Sequence, residues 1–85
     1  SELNVRIERF RSLLRDRRVK LTHQRLEIFR EVASSEAHPS AETVYLGVRP
    51  RLPTVSLDTV YRTLWLLNDL GLISTLGPRV AGPSR

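Results

Sequence analysis

Four amphipathic segments in succession, a hydroxyl residue just ahead of three of them, and a short apolar stretch closed by Gly-Pro predict a mainly α fold. It is of the winged helix-turn-helix type, four helices followed by a short β-wing. The first segment, Glu2 to Asp16, places Leu3, Ile7, Phe10, Leu13 and Leu14 on one face and arginines over the rest. Arg17 to Leu21 is a short basic link. Thr22 has the position of an N-cap for a second helix reaching about Ser34, with Leu26, Phe29, Val32 and Ala33 as its buried stripe. Pro39 disfavours helix just before it. Ser40 then caps a third helix that turns Ala41, Val44, Tyr45 and Val48 inward, and Pro50 and Pro53 bracket the loop from Arg49 to Val55. Ser56 opens the fourth helix, and Gly71 ends it in a left-handed turn. Leu57, Val60, Leu64 and Leu67 give this helix one apolar face. Leu72 to Leu76 has the composition of a strand, and Gly77-Pro78 that of a turn. The partner of that strand either returns at Arg79 to Ala81 or lies beyond residue 85.

At 85 residues the chain is expected to form one domain, residues 1–85, with a modest core. It has no cysteine, so neither a disulfide nor a cysteine-bound zinc can form within it. No apolar run approaches the roughly 18 residues of a membrane span. The charged, amphipathic start is unlike a signal peptide. A soluble cytoplasmic protein with no membrane partner is the expectation. No catalytic set emerges: the two histidines lie in different segments, there is no cysteine nucleophile, and the four glycines form no phosphate loop. An enzyme is therefore not expected.

The net charge of +5 lies wholly in the first 30 residues, where nine basic groups face four acidic ones. Concentrated positive charge attracts phosphate in a salt-sensitive, sequence-independent way, although a solvated basic helix face has the same composition. The fourth helix adds a second feature. Opposite its apolar face it carries Thr59 and Arg62, with Tyr61 at the edge, and a helix offering hydroxyl, guanidinium and phenol suits a DNA major groove. DNA binding is the first expectation. The alternative is a winged-helix protein-interaction module that does not read DNA, motivated by Trp65 and Leu66 together with Asp58 and Asp69 on the same helix. Leu66 falls nearly opposite the core face and is expected to contact an absent domain or subunit, whereas Trp65 is expected to lie under the first helix. Asp58 favours the helix dipole but is adverse near phosphate, and it can accept from a cytosine amino group.

The segments KLTHQRLEIF, AHPSAETVY and VSLDTVYRTL, followed by LGLI, resemble the N-terminal DNA-binding domain of the ferric-uptake-regulator (Fur) family, bacterial metal-dependent transcription regulators. The match runs in register from about Leu13 to Ile73. AHPSAETVY is nearest the peroxide-responsive branch, while TVYR is nearer the iron- and zinc-responsive ones. The resemblance implies a repressor working as a homodimer through a C-terminal dimerisation and metal domain that this chain lacks. Its partner is a double-stranded, A·T-rich palindromic operator. It implies that Lys20 reaches the minor groove, that Thr22 and Arg25 form the T-x-x-R motif behind it, and that Tyr61 packs on thymine methyls. Arg62 then donates to a guanine edge or a phosphate, and Ser56 and Thr59 meet phosphate at the helix start.

The resemblance also implies one metal ligand, His38, functional only in the full-length protein with its other ligands outside this chain. No cofactor is expected in this fragment. In the full-length protein the implied regulatory metal is iron or manganese, or zinc, with a structural zinc often present. By the residues alone, His38 is equally a loop histidine beside the Pro39–Ser40 turn. Two positions depart from the family pattern. Arg18 stands where glycine is common, so the first helix is expected to end differently. His23 replaces a common proline and is expected to be an exposed first-turn side chain.

Overall fold

The computed structural model describes residues 2–35 and 39–73. Four helices follow one another: α1 (Glu2–Asp16), α2 (His23–Ala33), α3 (Ala41–Val48) and α4 (Leu57–Asp69). Among the described residues there is no strand, and no helix is long and apolar enough to cross a membrane. The segment expected to form the wing lies outside the described residues, except that Leu72 and Ile73 follow α4 in a bend and rest half-buried on the core.

Each of the three predicted hydroxyl caps is made. The side chain of Thr22 accepts the amide of Arg25, Ser40 that of Thr43, and Ser56 that of Thr59. Such a cap satisfies one of the otherwise unpaired amides of the first turn and stabilises by about 1 kcal/mol. At the far end of α4, Gly71 takes φ 76°. The Leu72 amide bonds the Leu67 carbonyl at 3.0 Å and the Gly71 amide bonds the Asn68 carbonyl at 3.0 Å, which is a Schellman closure.

Helix α1 ends in the same way. The Val19 amide bonds the Leu14 carbonyl at 2.9 Å and the Arg18 amide bonds the Arg15 carbonyl at 3.1 Å. The left-handed residue here is Arg18, with φ 58°. The sequence-based expectation of a different helix end is thus corrected: the arginine takes up glycine's conformation, because both carbonyls of the last turn still need donors.

Helix α2 lies at the centre and packs against α1, α3 and α4. Phe10 of α1 stacks on Phe29 of α2, with ring centroids 4.6 Å apart. Ile7, Phe10, Leu14, Phe29, Val32, Val44, Val48, Val60, Leu64 and Leu67 are buried. Ile28, outside the expected stripe, is completely buried as well. A helix with neighbours on three sides buries more than one stripe, and that is why a single-face reading misses it.

The α3–α4 loop is equally part of the core. Leu52 and Val55 are buried, and the amide of Leu52 returns to the Val48 carbonyl at 2.9 Å. Arg51 ties the same loop to α2. Its Nε donates to Glu27 at 3.0 Å and its Nη2 to Glu31 at 3.1 Å. The hydrogen bond that Arg51 donates to Glu31 is the main reason its guanidinium lies above the usual arginine range; Glu27 adds to it and burial opposes it. The Glu31 carboxylate lies against Gly47 of α3, in the space a Cβ would occupy. That close approach is what lets α3 carry a glycine in its interior.

Arg18 generates a direct test. A left-handed non-glycine residue costs about 1–2 kcal/mol, partly offset by the greater entropy glycine loses on folding. Arg18→Gly is therefore expected to stabilise the chain by about 1 kcal/mol, read as a thermal midpoint a few degrees higher by circular dichroism.

Candidate nucleic-acid interface

The residues expected to meet DNA fall in two groups, on two helices that pack together. Lys20, Thr22 and Arg25 belong to the link before α2 and to its first turn. Ser56, Thr59, Tyr61 and Arg62 belong to the cap and first two turns of α4.

The link is closed from both ends. The Arg25 amide donates to Thr22 Oγ1 at 3.2 Å, and the Arg25 guanidinium donates to the backbone carbonyl of Lys20. Arg25 thus holds the turn that carries Lys20. Lys20 itself is exposed, with no ion pair or side-chain hydrogen bond among the described residues, so its ammonium is available to a partner. Thr22 is half-buried, its hydroxyl oxygen engaged as the cap of α2. His23, the first residue of α2, is exposed.

On α4, Ser56 Oγ accepts the Thr59 amide at 3.1 Å and lies 3.0 Å from Thr59 Oγ1. The two hydroxyls at the helix start are therefore paired with each other. Ser40 and Thr43 make the same arrangement at the start of α3. Tyr61 is half-buried on the core, and its hydroxyl donates to Glu42 of α3 at 3.3 Å. Arg62 is far more open. Its side chain is 80% exposed, and its Nε lies 2.9 Å from Oδ2 of Asp58, itself 70% exposed. Thr63, one turn on, is buried, and its hydroxyl donates to the Thr59 carbonyl at 2.9 Å.

The exposed part of α4 is consequently polar and of mixed charge. Leu66, expected as an exposed contact, is half-buried and packs on the core. Trp65 is half-buried too. The large apolar side chains most open to solvent among the described residues, Val5 and Leu46, sit on α1 and α3 at 68% and 62% exposure. The apolar surface on α4 that would serve a protein-interaction module is thus reduced to half-buried side chains.

Two contacts escaped sequence reasoning. Asp58–Arg62 has the i,i+4 spacing of a helical ion pair and was readable from that spacing. Glu42–Tyr61 joins two helices 19 positions apart and carries no sequence signal. His38 lies outside the described residues. Among the described residues no group of three or more histidines, cysteines or acids is placed to hold a metal. The described residues therefore do not by themselves assemble the donor set of a metal centre.

The model of the ferric uptake regulator family matches residues 16–80. The peroxide-responsive repressor PerR of Staphylococcus epidermidis (strain ATCC 12228 / FDA PCI 1200) is 36% identical over 63 residues, covering 74% of this chain and 42% of the relative. PerR of Staphylococcus aureus (strain USA300) is 36% identical over the same length, covering 74% and 43%. The chain thus spans less than half the length of these curated relatives. Among solved structures, GAS PerR-Zn-Zn matches with a TM-score of 0.76 and 34% identity over 85% of this chain and 46% of that one. That likeness identifies the four helices as the helical part of a winged helix. From the family model and the shared fold, the chain belongs to the ferric uptake regulator family.

Proposed function

We infer that this chain is the DNA-binding domain of a metal-dependent, Fur-like transcriptional repressor, and that it binds DNA rather than catalysing a reaction. The observation that carries the reading is Arg62: an almost fully solvent-exposed guanidinium on the second helix of a helix-turn-helix pair, with the adjoining cap, Ser56 and Thr59, closing the same helix start. In this reading α4 enters the major groove, where Arg62 reads a guanine edge and Tyr61 packs on thymine methyls. Lys20 extends from its link toward an adjacent A·T-rich minor groove. Thr22 and the paired Ser56 and Thr59 lie near phosphates, the Thr22 hydroxyl and one hydroxyl of the pair being left to donate. Arg25 acts through Lys20.

The operator is a palindromic, A·T-rich duplex read by a homodimer, with dimerisation supplied by a segment outside this chain. The likeness to the PerR repressors favours the peroxide-responsive branch. Regulation is by a bound metal, iron or manganese, or zinc. His38 supplies one ligand in the full-length protein and the remaining ligands come from outside this chain; a structural zinc belongs to that same outer part. The site of action is the cytoplasm, where the operator is.

Titration of the chain into A·T-rich duplexes at several salt concentrations tests the reading. Lys20→Ala is expected to lower the slope of log affinity against log salt by about 0.9 and to narrow the preference for A·T-rich over G·C-rich duplex. Arg62→Ala is expected to cost about 1–3 kcal/mol on duplexes carrying the guanine it reads, and far less on duplexes without it. Unchanged binding in both variants would remove the assignment. Arg25→Ala is expected to weaken binding in the otherwise native chain but to add little on top of Lys20→Ala, a non-additivity measured by a double-mutant cycle.

A further inference from the structure

Asp58 and Arg62 form an ion pair whose place is hard to explain by stability. They stand at the i,i+4 spacing, carboxylate N-terminal, and Oδ2 lies 2.9 Å from Nε. With side chains 70% and 80% exposed, the pair contributes little to folding. The same exposed pairing occurs at Glu2–Arg6 and Glu8–Arg11, but those pairs lie on α1. On α4 a carboxylate stands on the helix that approaches a polyanion, where it opposes binding.

The guanidinium geometry supplies a role. An arginine presents five N–H donors in a planar fork, and bidentate recognition of guanine O6 and N7 needs two of them in parallel. Asp58 occupies the Nε side. The two terminal nitrogens of Arg62 have no protein partner among the described residues. A free arginine side chain must give up much rotamer freedom to make a bidentate contact, and a side chain already tethered loses less. The same carboxylate repels any phosphate that would otherwise capture the guanidinium.

We propose that Asp58 is a positioning residue for base recognition: it tethers Arg62 through Nε, keeps the terminal nitrogen pair for guanine, and suppresses binding of Arg62 to phosphate. This rests on the reading of α4 as the DNA-reading helix. It gives Asp58 two opposite effects at once. The carboxylate lowers affinity for DNA in general and raises discrimination at one base pair.

The test uses the 85-residue chain and duplexes enriched by wild-type binding from a randomised A·T-rich pool. Each G·C pair of the enriched duplex is changed in turn to A·T, and a random-sequence duplex of equal length measures sequence-independent binding. The wild type is expected to lose about 5- to 150-fold in affinity at one G·C pair, and Arg62→Ala to abolish that ratio. Asp58→Ala and Asp58→Asn are expected to bind the random duplex more tightly while the ratio at that same pair falls about twofold. In the Arg62→Ala background, Asp58→Ala is expected to tighten all duplexes alike. The proposal is overturned if Asp58→Ala raises affinity for every duplex equally and leaves the ratio intact, since Asp58 is then only an adverse charge. It is equally overturned if the guanine ratio is intact and a cytosine preference disappears at another pair, which makes Asp58 a base-reading group itself. A wild-type chain that shows no discrimination, or an Arg62→Ala variant that keeps it, removes the underlying reading of α4 and the proposal with it.

Discussion

Helix α2 takes α1, α3 and α4 as neighbours and meets them with one broad apolar arc, and the remaining architecture follows from that shared contact. Phe29 takes the ring of Phe10, Ile28 vanishes from solvent altogether, and Val32 closes the same face. The polar remainder of α2 is also used. Glu27 and Glu31 hold Arg51, so the loop after α3 is drawn onto the helix while Leu52 and Val55 enter the core beneath it. That loop is longer than a simple helix-turn-helix turn, yet anchored in this way it fixes where α4 begins. The position of the candidate reading helix therefore depends on packing in α2 rather than on the stiffness of a short turn.

The same helix organises the other half of the candidate interface. Its cap, Thr22, and its first-turn residue Arg25 close the link that presents Lys20, while the upstream end of that link is closed by the Schellman turn of α1. Two hydrogen-bonded closures on a short segment leave a basic side chain projecting from a defined backbone. Arg25 is bonded back to the link: one terminal nitrogen of its guanidinium donates to the Lys20 carbonyl and so fixes the backbone that carries the lysine.

Much of this was legible in the sequence, and what was not has identifiable causes. Thr22, Ser40 and Ser56 mark helix starts because a side-chain acceptor three residues ahead of an amide is a local arrangement. Gly71 marks a helix end for an equally local reason. Ile28 was missed since hydrophobic periodicity assumes one buried face, and Leu52 and Val55 since two nearby prolines read as a surface loop. Arg18 shows the limit of residue preference, the helix end being set by orphaned carbonyls rather than by the residue that must follow them. In the candidate site, the identities of Lys20, Tyr61 and Arg62 were available from motif register. Their partners were less so: Asp58 is within reach of a spacing rule, whereas Glu42 reaches Tyr61 only through the packing of α3 on α4. The wing and His38 lie outside the described residues.

Helix α1 packs on the bundle chiefly through α2. The basic excess of the chain lies in its first 30 residues and mostly in the link, where Arg17, Arg18 and Lys20 face no acid, while α1 sets four basic groups against three acidic ones; Asp58 and Arg62 lie apart, on α4. Sites without shared contacts change a free energy independently. On the DNA-binding reading, attraction to a polyanion is then set mainly in the link and base selection on α4. Substitution of Arg17 or Arg18 alters the hold on a polyanion, and its sensitivity to ionic strength, from a segment other than the one that selects sequence.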